Sequence, residues 1–227
     1  INVNNIVITK YNLSNKDISK DIRVAYVSDV HLSTLDKKKL DNLVKIVNDN
    51  NYDIFVIDGD LVDEFSTDRK IKDVIEELGS IKTKYGNYYV EGNHDLLTNK
   101  IRSYLTENNF IVLEDSKVLI DDNYYLIGRI DKKDKLRTNL NSLTYNLDKP
   151  VILMDHQPNM ENNMDPRVIV QLSGHTHAGQ IWPLGYFSKY GYYPDKRLIV
   201  SSGVGVWHNK VRTSKHCEIV EINIKKS

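Results

Sequence analysis

A single cysteine, Cys217, stands among the 227 residues, which excludes an intrachain disulfide and any zinc site built on several thiolates. Net charge is missing too, since 31 Lys or Arg balance 31 Asp or Glu. No whole-molecule field recommends a nucleic-acid partner, and none is expected. The longest apolar runs, such as Ile54 to Ile57 and Val151 to Met154, fall far short of the roughly 20 residues that span a bilayer. There are only five prolines, and no repeat or Gly/Ser-rich stretch marks a linker, so 1–227 reads as one domain. What is present is ordinary for a soluble globular domain, with 40% hydrophobic and 27% charged residues. The first residue is Ile1, not Met, so an upstream segment, a signal or an anchor, is expected to have been removed.

Hydrophobic periodicity divides the chain. Ile22 to Val27, Ile54 to Ile57 and Tyr88 to Val90 read as strands. Between and after them, Leu35–Asn48, Arg69–Thr83 and Leu96–Asn108 carry helical spacing, with Gly79 a weak point in the second. That order predicts right-handed βαβ units and a parallel sheet. From Phe110 onward the texture is strand-like, at 110–113, 117–120, 124–130, 151–154, 168–172, 198–201 and 218–224. Lys132 to Thr144 is a sparse helix candidate. The expectation is an α/β fold of two packed sheets with helices outside.

Chemistry follows the strand ends. Ile22–Val27 runs into Asp29 and His31, and Ile54–Ile57 into Asp58, Gly59 and Asp60. Tyr88–Val90 runs into Gly92, Asn93, His94 and Asp95. Val151–Met154 precedes Asp155 and His156, and Val168–Leu172 precedes Gly174, His175 and His177. The carboxyl ends of parallel strands share one sheet edge, where ligands bind, so five clusters are expected to meet at one site. Carboxylate, amide and imidazole donors without thiolate suit Mn, Fe or Zn. Seven donors, Asp29, His31, Asp60, Asn93, His156, His175 and His177, exceed the need of one ion and fit two divalent metal ions about 3.5–4 Å apart. Singly, Asp29, Asp60 and Asn93 are equally good turn formers; the pattern lies in the set. Gly59, Gly92 and Gly174 are read as letting the backbone turn off the strands and a substrate approach. Asp58 and Asp155 are read as supports beside the donors, and His208 and His216 as ordinary surface or packing residues.

The ordered set Asp29-x-His31, Gly59-Asp60, Gly92-Asn93-His94-Asp95, His156 and Gly174-His175-Thr176-His177 resembles the calcineurin-like metallophosphoesterases over a motif core of about 22–205. The resemblance implies two mixed β-sheets flanked by helices (an αββα sandwich, the metallo-dependent phosphatase fold). It implies a first metal on Asp29, His31 and His177, a second on Asn93, His156 and His175, and Asp60 bridging them. His94 would be the catalytic histidine near the leaving group, with Asp95 available to orient it. The implied activity is in-line hydrolysis of a phosphodiester or pyrophosphate by a metal-bridging hydroxide; a phosphomonoesterase or protein phosphatase is the competing enzyme, and an inactive scaffold the non-enzymatic alternative. The run from Ser173 to Gln180 is similar to that of bacterial membrane-associated phosphodiesterases and UDP-diacylglucosamine pyrophosphatases. This implies a phosphoester or pyrophosphate substrate, a membrane surface or lipid as partner, and an anchor in the missing N-terminal segment; without an anchor, a soluble cytoplasmic domain is expected. The Asn-, Ile- and Lys-rich composition fits a bacterial gene of low GC content. The Tyr-rich stretch Gly185 to Tyr193 is read as a β-hairpin packing on the second sheet, or as an aromatic lip beside the metals.

Overall fold

The computed structural model describes residues 3–95, 98–158, 164–208 and 210–227. Two six-stranded mixed sheets face each other. The first has the order β1-β12-β2-β3-β4-β5, built from β1 (Ile6–Asn15), β12 (Cys217–Lys226), β2 (Ile22–Val27), β3 (Ile54–Asp58), β4 (Asn87–Val90) and β5 (Phe110–Val112). The second runs β10-β11-β9-β8-β7-β6, from β10 (Gly191–Tyr193), β11 (Leu198–Val200), β9 (Val168–Ser173), β8 (Val151–Met154), β7 (Tyr124–Gly128) and β6 (Ser116–Ile120). In the first sheet β2, β3, β4 and β5 are parallel, and in the second β7, β8, β9 and β11 are. The antiparallel pairs are β12 with β2, β6 with β7, and β10 with β11.

Strand alternation sorts the core into layers. Val24 and Tyr26 of β2 turn toward the second sheet, where they join Leu126, Ile152, Met154 and Leu172. Their neighbours Ala25 and Val27 turn outward beneath α1 (Lys37–Asp49), α2 (Asp68–Leu78) and α3 (Asn99–Glu107). Leu40, Leu43 and Val47 of α1 and Ile71, Val74, Ile75 and Leu78 of α2 cover that outer face. The far side of the second sheet is covered, among the described residues, by α4 (Leu140–Thr144), through Leu140 and Leu143 over Ile127, Val151 and Leu153. Both sheets are thus buried on two sides along their central strands, which is why those strands read as nearly continuous apolar runs, interrupted by Arg23 in β2 and Gln171 in β9.

Several boundaries differ from expectation. α2 stops at Leu78 because Gly79, a poor helix residue, takes the cap position. Thr67 opens the same helix by accepting the Lys70 amide. The expected third helix begins at Leu96, but residues 96 and 97 lie outside the described residues; α3 starts at Asn99 behind a Thr98 cap. The candidate helix from Lys132 shrinks to α4, since Lys133, Arg137 and Thr138 are drawn instead into polar contacts around the strand ends. The hairpin expected over 185–193 is half realised. Gly191–Tyr193 pairs with β11, whereas Leu184–Tyr186 is a 3-10 turn that leaves Tyr186 and Phe187 exposed. β1, a ten-residue edge strand parallel to β12, lies in a stretch that periodicity did not mark.

Candidate metal centre

The five clusters converge where the carboxyl ends of β2, β3, β4, β8 and β9 meet. Crossed backbone bonds knit the loops: the Asp29 amide donates to Gly59 O (3.0 Å), His31 to Asp60 O (3.0 Å), and Gly174 to His156 O (2.9 Å). Five of the seven predicted donors, Asp29, His31, Asp60, His175 and His177, have positive φ, between 46° and 67°. Strained left-handed residues collect where function overrides backbone preference.

The donors fall into two groups. Asp29, His31 and His177 form one, with His31 Nε2 3.1 Å from His177 Nε2 and His177 Nε2 3.4 Å from Asp29 Oδ1. Asp60, His156 and His175 form the other, and Asn93 joins it with Oδ1 2.6 Å from His175 Nδ1. Asp60 Oδ2 lies between the groups, 3.1 Å from His156 Nε2 and 4.0 Å from His31 Nε2. All seven predicted donors therefore share one site.

The donor set fits cations on the evidence of its own atoms. His156 Nδ1 lies 2.7 Å from Asp58 O; donating a proton there leaves a lone pair on Nε2, which faces the Asp60 carboxylate. Two electron-rich atoms so placed need a positive charge between them. Burial alone would lower the His156 pKa, yet Asp60, Asp29 and Asp58 push it well up: the place between Nε2 and the Asp60 carboxylate draws a positive charge, either a proton on Nε2 or a metal cation in its stead. Burial likewise opposes ionisation of Asp60, but His156 and the His94 amide hold it below the usual carboxylate range. His177 goes the other way: burial takes it down to about 4, a neutral imidazole at neutral pH.

Glycine makes room for the candidate donors. At Gly59, where φ is +79°, a Cβ would strike the His156 ring, and at Gly174 it would strike Asp29 Oδ2. The absence of a side chain is what lets these donors approach.

His94 stands at the rim, its side chain 29% exposed. Its amide donates to Asp60 Oδ1 (2.8 Å), and its ring centroid lies 5.7 Å from that of His31 and 5.5 Å from that of Trp207. The expected partnership with Asp95 is not what the structure shows. Asp95 is buried, and its oxygens accept the amides of Asp60, Val62 and Gly92, each at 2.7 Å. A short carboxylate beneath crowded loop amides satisfies them before it reaches outward. The acid facing His94 is Glu64, 3.5 Å from Nδ1.

Asp155, expected to be a support, turns its carboxylate to two arginines. Arg129 Nη1 stands 3.3 Å from its Oδ2, and Arg137 binds the same oxygen. Three further groups escaped the sequence reading. Lys133 Nζ donates to Gly92 O (3.3 Å), Asn93 O (2.9 Å) and Asp95 O (3.0 Å), strapping the loop that carries Asn93 and His94. Buried Arg212 donates to His177 O (3.1 Å), Ser202 O (2.9 Å) and Gly205 O (2.9 Å). The segment after β11 backs Asp29, whose carbonyl accepts the Gly205 amide at 2.8 Å. Main-chain contacts of this kind carry no side-chain signature.

A family model of calcineurin-like phosphoesterases matches residues 22–179, the span that holds all nine predicted site residues. An uncharacterised metallophosphoesterase of Helicobacter pylori is 31% identical over 91% of this chain and 60% of its own length. YkoQ, an uncharacterised metallophosphoesterase of Bacillus subtilis, is 27% identical over 96% of this chain and 90% of its own. A transmembrane protein with a metallophosphoesterase domain from Danio rerio is 29% identical over 91% of this chain and 54% of its own. This chain thus spans about 60% of the length of the Helicobacter relative. Among solved structures, TT1561 of Thermus thermophilus shares the fold at a TM-score of 0.52 and 13% identity, covering 67% of this chain and 81% of that one. With the motifs, the two facing sheets and the paired donor groups in agreement, the chain belongs to the calcineurin-like metallophosphoesterase family.

Proposed function

We propose that the chain is a dinuclear metal-dependent phosphohydrolase acting on a phosphodiester or pyrophosphate bond. The observation that carries the reading is Asp60 Oδ2, set between His156 Nε2 at 3.1 Å and His31 Nε2 at 4.0 Å, one carboxylate shared by two donor groups. Asp29, His31 and His177 would hold one cation, Asn93, His156 and His175 the other, and Asp60 both. Bound there, two divalent ions (Mn, Fe or Zn) supply Lewis acidity that makes water nucleophilic near neutral pH and offsets phosphoryl charge.

The protein's own groups do the rest. Asp60 accepts the His94 amide with its second oxygen, so the residue that joins the two groups also sets the position of His94. Asp95 fixes the turn from Gly92 and the turn from Asp60 through their amides, and Lys133 fixes the Asn93 loop from the solvent side. His94 is then placed to give a proton to the departing oxygen as water displaces it in line at phosphorus.

A diester or pyrophosphate is favoured over a phosphate monoester by the fate of the arginines. Arg129 and Arg137 both engage Asp155 and do not stand as a clamp for a terminal phosphate dianion. A lipid-linked substrate is the finer reading, supported by the likeness of Ser173–Gln180 to lipid pyrophosphatases and by the transmembrane character of the Danio rerio relative.

Hydrolysis of bis-p-nitrophenyl phosphate tests this. Chelated protein is expected to be inactive, and Mn²⁺ to restore turnover. At a hundredfold excess over Kd the metal should raise Tm by about 5–10 °C, the equivalent of about 2.7 kcal/mol in a chain this size. Faster turnover of p-nitrophenyl phosphate would favour the monoesterase, and no turnover with any divalent metal would favour an inactive scaffold.

A further inference from the structure

Two segments, 180–193 and the described residues of 203–216, form one surface beside the candidate metal centre. Gln180 joins them: its Nε2 donates to Trp207 O (3.1 Å), its Oε1 accepts the Trp207 amide (2.8 Å), and its carbonyl accepts the amides of Thr213 (2.9 Å) and Ser214 (3.1 Å). On this frame large apolar side chains face water, with Trp182 at 67% exposure, Leu184 at 62%, Tyr186 at 78% and Phe187 at 83%. Trp207 and Val211 continue the patch at 45% and 51%. Beneath it a groove of about 490 Å³ runs from His175 and His177 past Leu184 and Phe187 to Trp207. The Trp207 ring is 5.5 Å from His94, so the patch and the centre share one mouth. Soluble monomers rarely leave so much contiguous apolar surface in water.

The charge of the patch is as uneven as its polarity. In a chain of 31 acidic and 31 basic residues, Asp195 is the sole acidic residue between Asp165 and Glu218. The two segments themselves carry none, but they hold Lys189, Lys210 and Lys215; Lys210 and Lys215 are exposed. A second copy of this face would set lysine against lysine. The complement is an apolar layer under a negative one.

We propose that this face docks on an anionic lipid bilayer. Trp182, Leu184, Tyr186 and Phe187 enter the headgroup level, where amphipathic aromatic rings settle, and the exposed Lys210 and Lys215 meet lipid phosphates. The centre then opens toward phosphoesters at the bilayer surface; this last clause rests on the hydrolase reading, the docking itself does not.

The test uses the full chain with vesicles of phosphatidylcholine alone or with about one third phosphatidylglycerol, read by co-sedimentation. Trp182 and Trp207 are the only tryptophans and both lie on the patch, so docking should also shift intrinsic fluorescence to the blue. Binding is expected only to the anionic vesicles, weakened by salt. The double variant Trp182→Ser/Tyr186→Ser should bind at least tenfold more weakly, with bis-p-nitrophenyl phosphate turnover unchanged in lipid-free buffer. No binding to either vesicle, equal binding to both, or undiminished binding by the double variant overturns the proposal. So does self-association in solution that the double variant abolishes. Anionic-vesicle binding by a protein that hydrolyses nothing supports docking while overturning the hydrolase reading.

Discussion

Replacing Asp60 by Asn should abolish the paired centre, with turnover falling at least about 10²–10³-fold, the scale set by losing one charge-stabilising group from a transition state. An amide keeps the shape but offers one oxygen in place of two. If that oxygen stays with the His94 amide, now 2.8 Å from Oδ1, the position facing His156 and His31 becomes an NH₂ that repels a cation. If the amide flips, His94 loses its anchor. Metal content by atomic emission should fall from two ions per chain toward one, with the far-UV circular dichroism unchanged. Two ions and full activity in this variant would remove Asp60 from the bridging place.

Replacing His94 by Ala should separate binding from chemistry. The ring is at the rim, and only its backbone amide is tied to Asp60, so the variant keeps both donor groups. Metal content is expected to stay at two while turnover drops about 10²–10⁴-fold, the range for a lost general acid. The leaving group sharpens the result. p-Nitrophenolate departs without help, whereas an alkoxide needs the proton, so the loss should be larger for an alkyl phosphodiester. Equal losses on both substrates would make His94 a stabiliser of phosphoryl charge, and lost metal would make it a ligand.

How much of this was legible in the sequence follows from where each signal resides. The central strands announce themselves because both faces are buried: Ile22–Val27 and Val151–Met154 fall where expected. The meeting of the candidate donors was legible because each lies within a few residues of the end of such a run, and the parallel topology brings those ends together. β1 was missed because one side of an edge strand faces water: Lys10 and Asn12 interrupt its apolar residues. Asp95 was assigned to the wrong partner because adjacency in sequence said nothing of the three amides that surround it in space. Lys133 and Arg212 act on carbonyl oxygens far along the chain, a role that no local pattern encodes. The Tyr-rich stretch divided between two fates: Tyr192 packs against the core between the sheets, while Tyr186 turns to solvent.

The most direct measurement is anomalous diffraction from crystals loaded with Mn²⁺. The account predicts two peaks about 3.5–4 Å apart, one within reach of Asp29, His31 and His177 and one within reach of Asn93, His156 and His175, with Asp60 touching both. A single peak, none, or an Asp60 carboxylate turned away from the metal would contradict it.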